Sequence, residues 1–264
     1  MKGFQDKSRA LLSVTGADAE SFLQGLVTTD VAGLGDALGY TALLTPQGKY
    51  LFDFFIQRRG DGFCLDVAQD RAAALAQRLT MYRLRAAVEI APLEGAVFVV
   101  EADVAGQVDP RDARLGSRIY GEMPEGYEDG ADHAAAYDAR LVALGVPTTG
   151  RELLADESYI LEAGFERLSG VDFRKGCYVG QEVTARMRHK TELRKGLVQV
   201  RLSGAAAAGS AVVAADGKEA GRLLSVADGL GLAYLRLDRA KGGIQAGDVA
   251  LEVVAPVWDL GEEG

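Results

Sequence analysis

The chain has 264 residues, enough for two domains or three small ones. With 48% apolar and 25% charged residues it has the balance of a soluble globular protein, which excludes a disordered chain, and it has no G-X-Y period of a collagen. Its net charge of −9 is uneven: segment 174–195 carries seven basic residues against two acidic ones, so it is +5 and the remainder −14, a body that repels nucleic acid and acidic membranes.

Arg9–Thr15 (RALLSVT) is a short apolar run that suits a strand. Thr15 and Asp18 have the spacing of a helix start, and Ala19, Phe22, Leu23 and Leu26 recur at helical positions. Runs 40–45 and 50–58 are aromatic and aliphatic, separated by Pro46-Gln47-Gly48-Lys49, hairpin punctuation in which Gly48 supplies a positive φ. Residues 63–68 extend the sheet. Residues 70–84 read as a helix with Leu75, Leu79 and Tyr82 on one face, and 86–91 close the unit as a strand before Pro92. This order predicts an α+β domain with an antiparallel sheet.

The pattern from 95 to 150 is looser. Ala96–Val100 is a strand, 109–130 is rich in Pro, Gly and charge and reads as loops, and 133–144 is a short helix ended by Gly145 and Pro147. After Leu193, the runs 197–202, Ala211–Ala214, 221–226, 231–237 and 249–254 are short strands divided by turns such as Asp216-Gly217 and Asp228-Gly229. They predict a small closed or nearly closed β-barrel. No apolar stretch approaches the ~18 residues of a spanning helix. The start has no apolar signal-peptide core, and two cysteines make no disulfide framework. A cytoplasmic protein is expected.

One segment stands apart: Arg174-Lys175-Gly176-Cys177-Tyr178-Val179-Gly180-Gln181-Glu182. Glycines on both sides of a cysteine let the backbone approach a ligand closely. Neighbouring cations, and the helix-like run 181–188 just after it, favour a thiolate. Alone, this leaves Cys177 open as a reactive thiol or an inert small hydrophobe.

The run Gly170-Val171-Asp172-Phe173, then KGCYVGQE, then Thr184-Ala185-Arg186, resembles the signature of the YgfZ-type folate-binding proteins, whose family includes a mitochondrial iron–sulfur cluster assembly factor. Leu161-Glu162-Ala163-Gly164-Phe165, Thr15-Gly16-Ala17-Asp18, Phe22-Leu23-Gln24-Gly25 and Thr29-Asp30-Val31 also resemble that family, so the likeness covers most of the chain. The wider superfamily is that of the aminomethyltransferase T-protein of glycine cleavage. The resemblance implies an α+β, three-lobed T-protein-like fold. Its first lobe would take 1–91 plus about 151–192, a short middle α+β lobe 92–150, and a C-terminal β-barrel 193–264.

The resemblance also implies tetrahydrofolate or a derivative as ligand and Cys177 as the acting residue. Lys175 and Gln181 are candidates to bind the ligand, with capping of the turn as the alternative. Tyr178 is a candidate to stack on a flat ring, against a core-facing role. Arg186 and the basic stretch after it are a candidate receiver for a folate's glutamate tail or an acidic partner, against a solvated helix face. Asp53 falls where transferase relatives carry a carboxylate that works on the folate. A lone acid among aromatics is a candidate base or anchor for a pterin NH, against a carboxylate at the solvent end of a strand.

Cys64 alternates with Phe63 and Leu65 and reads as core. His133 and His189 have no metal-ligand spacing, so no resident metal site is expected. No phosphate-binding glycine loop is present. The leading expectation is a tetrahydrofolate-binding accessory protein for assembly or repair of iron–sulfur clusters, supporting [4Fe–4S] and radical enzymes, including those that modify tRNA. One cysteine cannot hold a cluster, so a transient cluster shared with an assembly protein or client enzyme is implied, without nucleic acid or membrane. The alternative is a folate-dependent aminomethyltransferase in which Asp53 positions tetrahydrofolate. A ligand-gated scaffold without catalysis is the third reading.

Overall fold

A computed structural model describes residues 1–101, 106–189 and 193–260. The N-terminal part supplies β1 (Lys2–Gln5), β2 (Arg9–Thr15), α1 (Ala19–Gln24), β3 (Gly39–Leu44), β4 (Tyr50–Arg59), β5 (Gly62–Ala68), α2 (Ala72–Arg83) and β6 (Glu89–Leu93). Five of these strands form an antiparallel sheet in the order β3-β4-β5-β2-β6. Alternation along β4 explains its two faces. Phe52, Phe54 and Ile56 pack with Leu23, Leu75 and Leu79 of the helices, whereas Phe55 faces the second sheet and packs with Val99 and Tyr137. Asp53 shares that second face.

The second sheet has the order β10-β1-β7-β9-β8, from β7 (Ala96–Val100), β8 (Gln107–Val108), β9 (Ser117–Gly121) and β10 (Glu128–Asp129) together with β1. Three expectations are corrected by the structure. Residues 2–5, read with the first lobe, pair with β7 in the second sheet. The 109–130 stretch, read as loops, contains β9, whose Arg118 and Tyr120 point into a polar interior that no hydrophobic alternation announces. A third concerns Asp18: α1 starts after it, but its side chain makes no cap bond and instead accepts from Ala87 N at 2.7 Å, tying the helix start to the segment before β6.

The helix α3 (Ala131–Ala143) leads to a long return segment, then α4 (Gln181–Arg188) and the barrel. The barrel is closed in the order β11-β14-β13-β12-β15-β16. Its strands are β11 (Lys195–Leu202), β12 (Ala211–Ala214), β13 (Glu219–Ala227), β14 (Leu230–Arg236), β15 (Ile244–Ala246) and β16 (Val249–Pro256), with the one-turn α5 (Leu237–Ala240) after β14. Closure leaves no free edge, and Val198, Val200, Val212, Leu223 and Leu235 fill the interior. Gln199 reaches out to the last carbonyls of α3, Val142 O at 2.9 Å and Ala143 O at 2.8 Å, seating the barrel on the rest of the chain.

Candidate functional site

The return segment is stitched to the first sheet. Asp156 N donates to Tyr50 O and Tyr50 N to Ser158 O, both at 2.9 Å. Asp172 N donates to Thr28 O at 2.9 Å, and the Thr28 hydroxyl donates to Gly170 O at 2.6 Å. This delivers residues 174–180 onto the edge of the α1–β3 connection.

Lys175 is 8% exposed, and its Nζ donates to three backbone carbonyls: Gln24 O at 2.8 Å, Val27 O at 2.5 Å and Thr29 O at 2.7 Å. An ammonium has three protons, so all its donors are engaged. Burial pulls its pKa down to about 8, against the opposing pull of Asp30 and Asp172, and the group stays mostly charged at neutral pH. At the other end Gly180 has φ +85°, and a Cβ there would stand 2.6 Å from Thr45 O. Gly48 answers it across the contact: a Cβ on that residue would stand 2.8 Å from Val183 Cβ. The hairpin turn and the loop therefore meet nearly backbone to backbone.

Between the two anchors Cys177 is exposed, and a Cβ on Gly176 would meet nothing within 4 Å. Tyr178 turns inward to the core of Tyr40, Tyr50 and Phe165. Burial pushes its phenol up to about 12, and its hydroxyl, with Thr184 as polar neighbour, makes no well-formed hydrogen bond. Gln181 opens α4, half-buried, and Arg186 lies exposed on the same helix. Arg188 pairs with Glu166 at 2.7 Å and stacks on Phe173 at 4.0 Å. Lys190, part of the basic stretch, lies outside the described residues. A groove of about 740 Å³ runs between α4 and the barrel, past Arg188, Arg194, Arg236 and Trp258. Glu166, Asp238 and Asp259 also line it, so its charge is nearly balanced.

Asp53 is elsewhere, buried in mid-strand and not at a solvent end. Its carboxylate accepts from Tyr40 OH at 2.9 Å, from Tyr50 OH at 2.6 Å and from the Thr149 hydroxyl. Burial, then the Asp53 charge, hold both tyrosines well above the ordinary phenol value, so they stay protonated and donate. The carboxylate opens on a cavity of about 250 Å³ between the two sheets, lined also by Arg9, Arg111, Arg118, Tyr137 and Thr148. No residue of the 174–180 loop lines it.

Around that cavity runs an ionic lattice that joins the sheets. Arg9 Nε donates to Asp66 Oδ1 at 2.6 Å and Arg118 Nη1 to Asp66 Oδ2 at 2.7 Å. Arg111 Nη2 donates to Asp109 Oδ2 at 2.7 Å and to Tyr137 OH at 2.8 Å, while Arg118 Nη2 reaches the same hydroxyl at 3.2 Å. Arg118 and Arg111 lie over the Phe55 ring at 3.9 and 4.7 Å. Burial alone would raise the Asp109 carboxyl, but Arg111 and Arg118 outweigh it and hold it below the ordinary value. Sequence reasoning picked out only Asp53 of this set. The signal available for Asp66 is an acid inside the apolar run FCLDVA.

A carboxylate has about four acceptor sites and Asp53 has three engaged, which leaves one for the N–H of a ligand. The volume lies below the ~300–1,000 Å³ usual for small-molecule sites, too small for a whole folate.

This fold is that of the glycine-cleavage T-proteins. The structure of aminomethyltransferase T from Bartonella henselae aligns with a TM-score of 0.75 over 97% of this chain and 85% of that one, at 15% identity, a likeness of fold alone. Residues 194–259 match the CAF17 C-terminal beta-barrel domain. The human iron–sulfur cluster assembly factor IBA57, mitochondrial, is 31% identical, covering 97% of this chain and 84% of its own length. The chain belongs to the IBA57 family. The homologue from Pyricularia oryzae is 34% identical over 73% of this chain, which spans 55% of that relative's length. The cytoplasmic expectation is overturned by these relatives, which are named mitochondrial.

Proposed function

We propose that the chain is an accessory factor for assembly or repair of iron–sulfur clusters that presents Cys177 to a cluster carried by a partner protein. The names of its relatives support the pathway. The observation that carries the chemistry is the contrast between two thiols, Cys64 sealed in a sheet and Cys177 exposed on a loop anchored at both ends. Among the described residues no three His, Cys, Asp or Glu side chains converge. A single exposed thiol suits a transient contact in which the partner supplies the other ligands, the cluster being cargo. Client enzymes of the [4Fe–4S] type, including radical enzymes that modify tRNA, follow from the family resemblance.

Tetrahydrofolate is proposed as a ligand whose pterin head is held by Asp53, with Thr149 and Tyr50 fixing the carboxylate. When bound it supplies a one-carbon or redox-active carrier. Asp53 also keeps a second reading alive, aminomethyl transfer, for which an aminomethylated carrier protein with tetrahydrofolate should release ammonia.

The decisive experiment is rescue of cells lacking this gene by wild type or Cys177→Ala at matched levels, following a [4Fe–4S] enzyme. Rescue by wild type alone is expected. Equal rescue by both removes Cys177 from the mechanism, and ammonia release without any effect on the cluster enzyme replaces the proposal by the transferase.

A further inference from the structure

Lys175 lies two residues before the exposed thiol, and its ammonium is taken up by backbone carbonyls. Each of its three protons goes to a carbonyl at or after the end of α1: Gln24, the last helical residue, whose carbonyl has no partner inside the helix, and Val27 and Thr29 in the connection that follows. Those carbonyls lie 146 to 151 residues away in sequence, so the contact fixes the loop in space and not merely its local shape. The charged neighbours are Asp172 on its own segment and Asp30 on the facing turn, and the Tyr178 ring lies 5.3 Å from Nζ. Beyond it, a Cβ on Gly176 would meet open space and Cys177 is exposed. At the far end Gly180 abuts the hairpin turn.

We propose that Lys175 is a positioning residue: its ammonium, clasped by three carbonyls, locks the Cys177 loop to the end of α1 and so fixes where the thiol is presented to a partner. This deepens the proposal for Cys177 and rests on it. The shape of the cage sets the specificity. Three carbonyls converging on one point suit a tetrahedral ammonium, whereas the planar fork of an arginine spreads its donors. A methionine keeps most of the buried stem and none of the donors.

The test uses a nitroxide spin label on Cys177 of the full chain, with the buried Cys64 as an internal control, since it takes label only if the sheet opens. In wild type the label should give the spectrum of a restricted side chain. In Lys175→Met it should become mobile, amide exchange across 173–178 and 25–29 should rise about tenfold or more, as loss of charged hydrogen bonds implies, and Cys64 should stay unlabelled. Lys175→Arg should not restore the wild-type spectrum. The proposal is overturned if the variant's spectrum and local exchange match wild type, or if Cys64 is labelled along with Cys177, which would make Lys175 a support of the whole fold. Should Lys175→Met fail to fold, the same readings on Lys175→Arg decide, with unchanged mobility counting against the lock. A loosened loop in Lys175→Met together with equal rescue of the cluster enzyme by wild type and Cys177→Ala would uphold the lock and discard the role of Cys177.

Discussion

Lys175 and Arg118 are both buried cations, held in different ways. Lys175 is held by neutral carbonyl dipoles at the edge of the molecule, and the loop it holds faces outward. Arg118 sits between carboxylates, joining Asp66 of the first sheet to Tyr137 of α3 in the interior. Removing a cation from carbonyls leaves neutral dipoles unpaired. Removing a member of the lattice leaves a buried charge uncompensated, and that is the costlier failure. The fold thus keeps its buried ionic seam apart from its exposed thiol.

The sharpest way to break this contrast is Asp66→Ala, which strands Arg9 and Arg118. It should cost about 3–5 kcal/mol in urea unfolding. A loss near that of a surface substitution would mean the lattice is hydrated and flexible. Next comes acid. The Asp109 carboxyl is held below its ordinary value in the fold, so as pH falls the unfolded chain takes up the proton first and stability drains away. Its contribution is complete above the ordinary carboxylate pKa of about 4 and disappears as pH drops through the folded value. Arg111→Met removes the partner bonded to it and should move the acid-unfolding midpoint, read by circular dichroism, to higher pH.

Smaller effects sharpen the other side of the comparison. Tyr178→Phe removes a buried hydroxyl with no well-formed hydrogen bond and should raise stability by up to about 1 kcal/mol. A loss would show that the hydroxyl has a partner that matters. Arg186→Ala, on the exposed face of α4, should leave the urea midpoint within about 0.5 kcal/mol of wild type. A larger loss would place the basic helix face among the structural supports.

What the sequence disclosed follows from the range of the forces involved. β2 and Ala211–Ala214 were readable to the residue because apolar runs bounded by turns are local signals. Gly48 was readable as the glycine of a hairpin, with φ +74°. β9 was hidden because its Arg118 is buried by ion pairs and not by hydrophobicity, and β15 because three residues carry too little pattern. In the site, the loop around Cys177 was legible, but the bonding of Lys175 was not: backbone carbonyls carry no residue identity. The three donors around Asp53 come from β3, β4 and the return segment, a convergence that only topology produces.

The placement of the two cysteines has a consequence under oxidation. Cys64 is buried between strands, and desolvation, aided by Asp66, pushes its thiol up to about 11, so it is both inaccessible and a poor nucleophile. Cys177 therefore finds no disulfide partner within its own chain. Its bridges can form only with another molecule, whether glutathione, a partner protein or a second copy, and the covalent dimer content of a stored sample becomes a direct record of how well its reductant has lasted.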